Sequence, residues 1–194
     1  MAESQKHGFE IEKDIIEHKI PLVYQMVKDD FVYNSKWDFP PLSVKTFKFE
    51  SGILEFGSIE RIFRSTDDFI LVMCGHKQNG SFKEILFSDA VYVSNKVFKE
   101  LKGTLTLEDI YYLNQTLKTF GEGKHKEARE WAKTAKEQYN HKTSFDIRFK
   151  IDSKTQRRIQ CALKLEDLYR ILGKDIIESN ILKINNVKSE KRSY

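Results

Sequence analysis

The chain has 194 residues, 33 Lys plus Arg against 29 Asp plus Glu, and a formal net charge of +4. With 40% hydrophobic residues, 14 Phe and 8 Tyr, it is too apolar for a disordered protein and long enough for one domain with a real core. No apolar run reaches the ~18 residues of a membrane span, the first residues lack a signal-peptide core, and two cysteines are too few for a disulfide framework or structural zinc, so a soluble cytoplasmic protein is expected.

Residues 8–19 (GFEIEKDIIEHK) read as an amphipathic helix with Phe9, Ile11, Ile15 and Ile16 as its apolar stripe. Pro21 stops or kinks it, and residues 22–28 add a further turn or two. Residues 31–33 are a short strand candidate. Trp37 and Phe39 flank Asp38 in a second extended stretch, and Pro40-Pro41 marks a tight connection. Residues 42–49 (LSVKTFKF) alternate apolar with polar, as a half-buried strand does. Ser51-Gly52 is a turn, and a short helix is expected over residues 58–64 with Ser58 as its N-cap.

Residues 69–74 (FILVMC) are continuously apolar and read as a buried central strand. A Gln78-Asn79-Gly80 turn leads to a partner over 82–87. Two helices follow over 107–120 and 124–139, then strands over 145–151 and 158–163, and a helix over 165–172 ended by Gly173. The element order of the first 75 residues implies an α/β fold with a mixed β-sheet flanked by helices. A single domain is expected, with residues 1–120 as its core and 121–194 as a basic β-ribbon and helix region ending in a tail.

Charge divides along the chain. Residues 1–120 carry 15 basic and 18 acidic side chains, whereas residues 121–194 carry 18 and 11. The second part attracts a polyanion such as nucleic acid. Lys154, Gln156, Arg157 and Arg158 cluster where a two-stranded ribbon turns. Arg pairs bidentately with guanine and Gln with adenine, while Lys suits phosphate. Lys126, Arg129 and Lys133 recur at helical spacing, placed to line a DNA backbone.

One constellation in the first part suggests chemistry. If Pro40-Pro41 is a turn, Asp38, Ser43 and Lys45 share one face of a hairpin, because strand side chains have period two. A carboxylate there suits a hard divalent ion, and an ammonium holds a phosphate or an attacking water. A second carboxylate is needed, and Glu60, Glu55 and Glu12 are the candidates, with Glu60 first. Cys74 and Cys161 read as buried, inert thiols, and His76 as a structural or DNA-facing residue.

Asp38 followed by Ser43-Val44-Lys45 resembles the PD-(D/E)XK signature of type II restriction endonucleases, and the helix, three strands, helix, strand order resembles that superfamily's core. Trp37 stands where the family has proline, and Ser43 where it has its middle acid. Some members carry such a Ser-Val-Lys with the missing acid on the next helix, which matches Glu60. The resemblance implies a Mg²⁺-dependent, site-specific hydrolysis of double-stranded DNA that leaves 5′-phosphates. Asp38 and Glu60 would hold the ion, helped by Glu12 and the Val44 carbonyl, and Lys45 would activate water. It also implies a homodimer on a palindromic site, and a DNA-groove role for the hairpin over 145–163. The rival expectations are a non-catalytic DNA-binding regulator and a structure-specific repair nuclease on the same core.

Overall fold

The structure is a computed structural model that describes residues 10–30, 41–79, 82–176, 181–184 and 187–188. Contacts divide the chain into two compact units. One holds the chain up to Ile53, Asp68–Ser94 and the chain from Asp175 onward; the other holds Leu54–Asp67 and Asn95–Lys174. The boundary expected near residue 120 therefore falls inside the second unit. Charge changes along the sequence there, but packing follows the excursions of the chain between two sheets. Among the described residues no helix is long and apolar enough to cross a membrane.

The first unit is built on a mixed sheet of order β1-β3-β4-β7, formed by β1 (Leu42–Lys48), β3 (Phe69–Asn79), β4 (Phe82–Val93) and β7 (Val187–Lys188). β1 runs parallel to β3, and β4 is antiparallel to both β3 and β7. Ile70, Leu71, Val72, Met73 and Cys74 are each 0% exposed, so both faces of β3 are covered, as its unbroken apolar run requires. Burial pushes the Cys74 thiol well above its ordinary range, with the charge of Asp14 adding to it, so this cysteine is an inert core residue. Strand β4 runs further than residues 82–87, because its alternation continues through Ala90 and Tyr92 to Val93.

The first helix covers one face of this sheet. Helical residues 10–14 (α1) lead into a π-helical segment, Ile15–Lys19, and then α2 (Ile20–Val27). Pro21 lies at the second position of α2, where its missing N–H and its ring would disrupt a regular α-turn; the widened turns just before it absorb the misfit and let the helix continue. Ile11, Ile15, Val23 and Val27 then pack with Ile70, Val72, Cys74, Ile85, Ala90, Leu182 and Ile184. Leu42, Val44 and Tyr92 lie against the same cluster. The buried Ser88 hydroxyl accepts the Leu182 N–H at 2.9 Å, which fastens the 181–184 segment to β4.

The second unit is built on a sheet of order β2-β6-β5, formed by β2 (Ile53–Ser58), β5 (Asp146–Ile151) and β6 (Arg157–Lys164). β5 and β6 pair antiparallel. β2 was not legible in the sequence, since only Leu54 and Phe56 of its six residues are buried. Helices α3 (Ile59–Arg64), α4 (Asn95–Lys102), α5 (Leu107–Thr119), α6 (His125–Tyr139) and α7 (Leu165–Leu172) accompany it. Ser58 caps α3 by accepting the Arg61 N–H, and a Thr106/Asp109 capping box starts α5. Phe145 is 0% exposed and meets Phe56, Phe63 and Phe98 edge-on, at 5.5 to 6.3 Å between centroids. The Lys102 ammonium lies over Phe63 and Phe98 and donates to the carbonyls of Phe63 and Ser65; burial lowers its pKa, with the charge of Lys99 adding to the shift.

Candidate functional site

Strand β1 separates its side chains by period. Leu42 and Val44 lie against the helix-side cluster, so Ser43, Lys45 and Phe47 project from the opposite face. The ladder sets Ser43 beside Leu71, Lys45 beside Met73 and Phe47 beside Gly75. On the next strand Met73 pairs with Asp89. Lys45, Met73 and Asp89 thus form one row across three strands, with Lys45 and Asp89 roughly 10 Å apart at Cα by ordinary strand spacing. Lys45 and Asp89 are both half-buried, and one Asp89 oxygen accepts the Ala90 N–H at 2.8 Å. Asp89 is the acid that the sequence reading passed over. The signal was the continued alternation of residues 87–93, which puts it on the same face as Val91 and Phe87.

The other candidates belong to other elements. Asp38 lies outside the described residues. Glu12 is carried by α1, which packs on the Leu42/Val44 face, whereas Lys45 leaves the sheet on the other face. Lys45 belongs to the first unit and Glu60 to the second. Glu60 spends both carboxylate oxygens: one takes the Arg64 guanidinium at 2.6 Å, the other the Asn114 amide at 3.3 Å. Glu55 pairs with Arg148. A hard divalent ion needs several oxygen donors together. Among the described residues no three of His, Cys, Asp and Glu gather in that way. The described candidates, Glu12, Glu55 and Glu60, do not by themselves form a metal cage.

The basic residues expected at DNA divide into two kinds. Arg157 is a buried clamp, with only 5% of its side chain exposed. Its guanidinium donates to the carbonyls of Phe120 (3.0 Å), Gly121 (3.1 Å), Asp152 (2.9 Å) and Gln156 (2.8 Å). Those donors are spent on main-chain carbonyls, which gives Arg157 a structural part in holding the hairpin turn. Neighbouring strand residues point to opposite faces, and Arg158 is the exposed one of the two. The turn itself is fixed by Asp152, whose side chain accepts the N–H groups of Lys154 and Gln156 at 3.0 and 2.8 Å and leaves both side chains exposed.

Helix α6 buries Ala128, Ala132, Ala135 and Tyr139, and leaves Lys126, Arg129 and Lys133 exposed. Arg129 donates to the Ile151 carbonyl at 3.1 Å, and Lys136 pairs with Asp146 at 2.5 Å. Burial alone would push the Asp146 carboxyl up, but hydrogen bonds from Lys136 and Arg148, with their charges, outweigh it and hold it below its usual range. Comparison of the chain with protein-family models, with characterised proteins and with solved structures finds no match.

Proposed function

We propose that the chain is a Mg²⁺-dependent, site-specific endonuclease that hydrolyses phosphodiester bonds of duplex DNA and leaves 5′-phosphates, as type II restriction enzymes do. The observation that carries this reading is the placement of Ser43 and Lys45. They stand together on one face of a strand that runs parallel to a buried central strand, and a segment bearing a short helix, α3, joins the two strands. A helix, then β1, α3 and β3 in that order support the Ser-Val-Lys resemblance; the short strands expected over 31–33 and beside Asp38 lie outside the described residues. The basic α6 and β5–β6 surface supports DNA as the substrate.

Bound Mg²⁺ would supply Lewis-acid neutralisation of phosphate charge. Asp38 is the proposed first ligand. Glu60 would join it only by giving up Arg64 and Asn114, and Asp89, in the same row as Lys45, is the competing second acid. The part of Lys45 is to hold a cation beside the scissile phosphate, where it stabilises developing negative charge and orients the attacking water. Action as a homodimer on a palindromic site, in the cytoplasm, belongs to the same proposal.

A non-catalytic DNA-binding regulator is the second reading, favoured by the full engagement of the Glu60 carboxylate. Incubation with supercoiled plasmid separates the two. Discrete fragments with Mg²⁺ that vanish with EDTA support the nuclease, a ladder that follows DNA shape rather than sequence supports a repair enzyme, and binding without any cutting supports the regulator.

A further inference from the structure

Residues opposite each other on an antiparallel pair share a face. Lys150 stands opposite Arg158, and Arg148 opposite Gln160, so these four share the face turned away from the buried Ile159 and the Phe149–Trp131 ring pair. Charge on this face is treated in two ways. Arg148 is consumed by Asp146 and Glu55. Lys150 and Arg158 make no ion pair among the described residues, and the Gln160 amide makes no hydrogen bond among them.

The stripe on α6 runs alongside. Arg129 is tied to Ile151 at one end of edge strand β5 and Lys136 to Asp146 at the other, so Lys133 lies level with the middle of that strand. Glu130 and Glu137 lie within one helical turn of Lys126 and Lys133 on the exposed side of α6, and Glu127 is set further round. Among the described residues the side chains of Lys126, Lys133, Lys150, Lys154, Arg158 and Gln160 make no hydrogen bond or ion pair.

We infer that this strand face, rather than the turn alone, is where the chain grips duplex DNA, with Arg158 and Gln160 at base edges and Lys133 and Lys150 on phosphates. The inference rests on the DNA-binding part of the proposed function and adds Lys150 and Gln160 to it. Arg and Gln are the side chains that pair bidentately with guanine and adenine in a major groove wide enough for a strand pair, whereas the deep, narrow major groove of duplex RNA excludes one. Arg157 acts behind this surface as a positioning residue. By joining the 120–121 carbonyls to those at 152 and 156, it fixes the start of α6 against the hairpin turn.

Binding of a fluorescent DNA duplex pool with a randomised centre, measured in EDTA over a range of salt, tests this without any cleavage. Lys150→Ala should weaken binding to every sequence and make the slope of log K against log salt shallower by about 0.9, the signature of one lost phosphate. Gln160→Ala should leave the slope alone and cost roughly 10- to 100-fold in preference at one base pair. Arg157→Lys keeps the charge but not the fork, so the slope should hold while sequence preference falls. Wild-type binding with both Lys150→Ala and Gln160→Ala indistinguishable from it overturns the assignment of this face. Equal competition by an RNA duplex overturns the choice of partner. Failure of the wild type to bind any duplex overturns the DNA reading beneath both, whereas failure to cut while binding persists counts against the nuclease alone.

Discussion

In the mixed sheet, the face that carries Ser43 and Lys45 is otherwise lined by Leu71, Met73, Val91 and Phe87, so the half-buried Lys45 and Asp89 stand among apolar neighbours. The β5–β6 and α6 region is crowded with charge, and much of it is neutralised internally: Arg148 by two acids, Lys136 by Asp146, Arg157 by four carbonyls. A few charged groups half-buried among apolar side chains suit a reaction centre. A surplus left over after pairing suits a polyanion's backbone. The contrast teaches that charge count along the sequence is a weaker guide than whether each charge is already spent.

Substitutions break that comparison in graded ways. Phe145→Ala should cost the second unit about 3–5 kcal/mol, because it leaves a cavity between three rings. Chemical denaturation with a probe on Trp131, which stacks near Phe149 in that unit, reads the loss directly. Gly75→Ala tests the first unit. A Cβ there would meet Phe47 and Phe49 at 3.0 Å and Phe87 at 3.1 Å, on the strand beside Lys45, so a loss of roughly 1–3 kcal/mol is expected. If the two units unfold separately, each variant should move only one transition; a single shared transition moved by both would show that they fold together.

Thr106→Ala should remove the capping box of α5 and cost about 1 kcal/mol in the second unit's thermal transition. The smallest effect is a pH dependence. The Asp146 carboxyl is held below its unfolded value, so its stabilisation is complete above about pH 4 and is lost as pH falls through the depressed native value. Asp146→Asn should therefore lower the stability of the second unit at neutral pH, where the wild-type contribution is complete, and flatten the acid limb of its stability curve. A flat wild-type acid limb would show that the Lys136 and Arg148 contacts contribute nothing in solution.

Much of the fold could be read from residue order. The alternation of residues 42–48, the apolar run from Phe69, the Ser58 cap and the Gly173 stop are local signals, and each lies where the sequence places it. Strand β2 and helix α4 were missed because their pattern is short and the burial of Phe56 and Phe98 is decided by a distant partner, Phe145. The site was less legible. Period two correctly puts Ser43 and Lys45 on one face, but which acid joins them depends on strand register. Residue spacing gave no hint that Asp89 lines up with Lys45, or that Glu60 is committed to Arg64 and Asn114. The Arg157-Arg158 pair shows the same limit, since only the fold tells the clamp from the exposed group.

The central claim is that Lys45 serves chemistry and the α6 and β5–β6 surface serves binding. The direct measurement is a paired assay of plasmid cleavage with Mg²⁺ and duplex binding in EDTA, run on wild type, Lys45→Ala and Asp38→Asn. The account predicts cleavage by the wild type, a loss of at least about 100-fold in both variants, and DNA affinity within about two-fold of wild type in each. Cleavage that survives Lys45→Ala, or a wild type that binds DNA and never cuts it with any divalent metal, would contradict it.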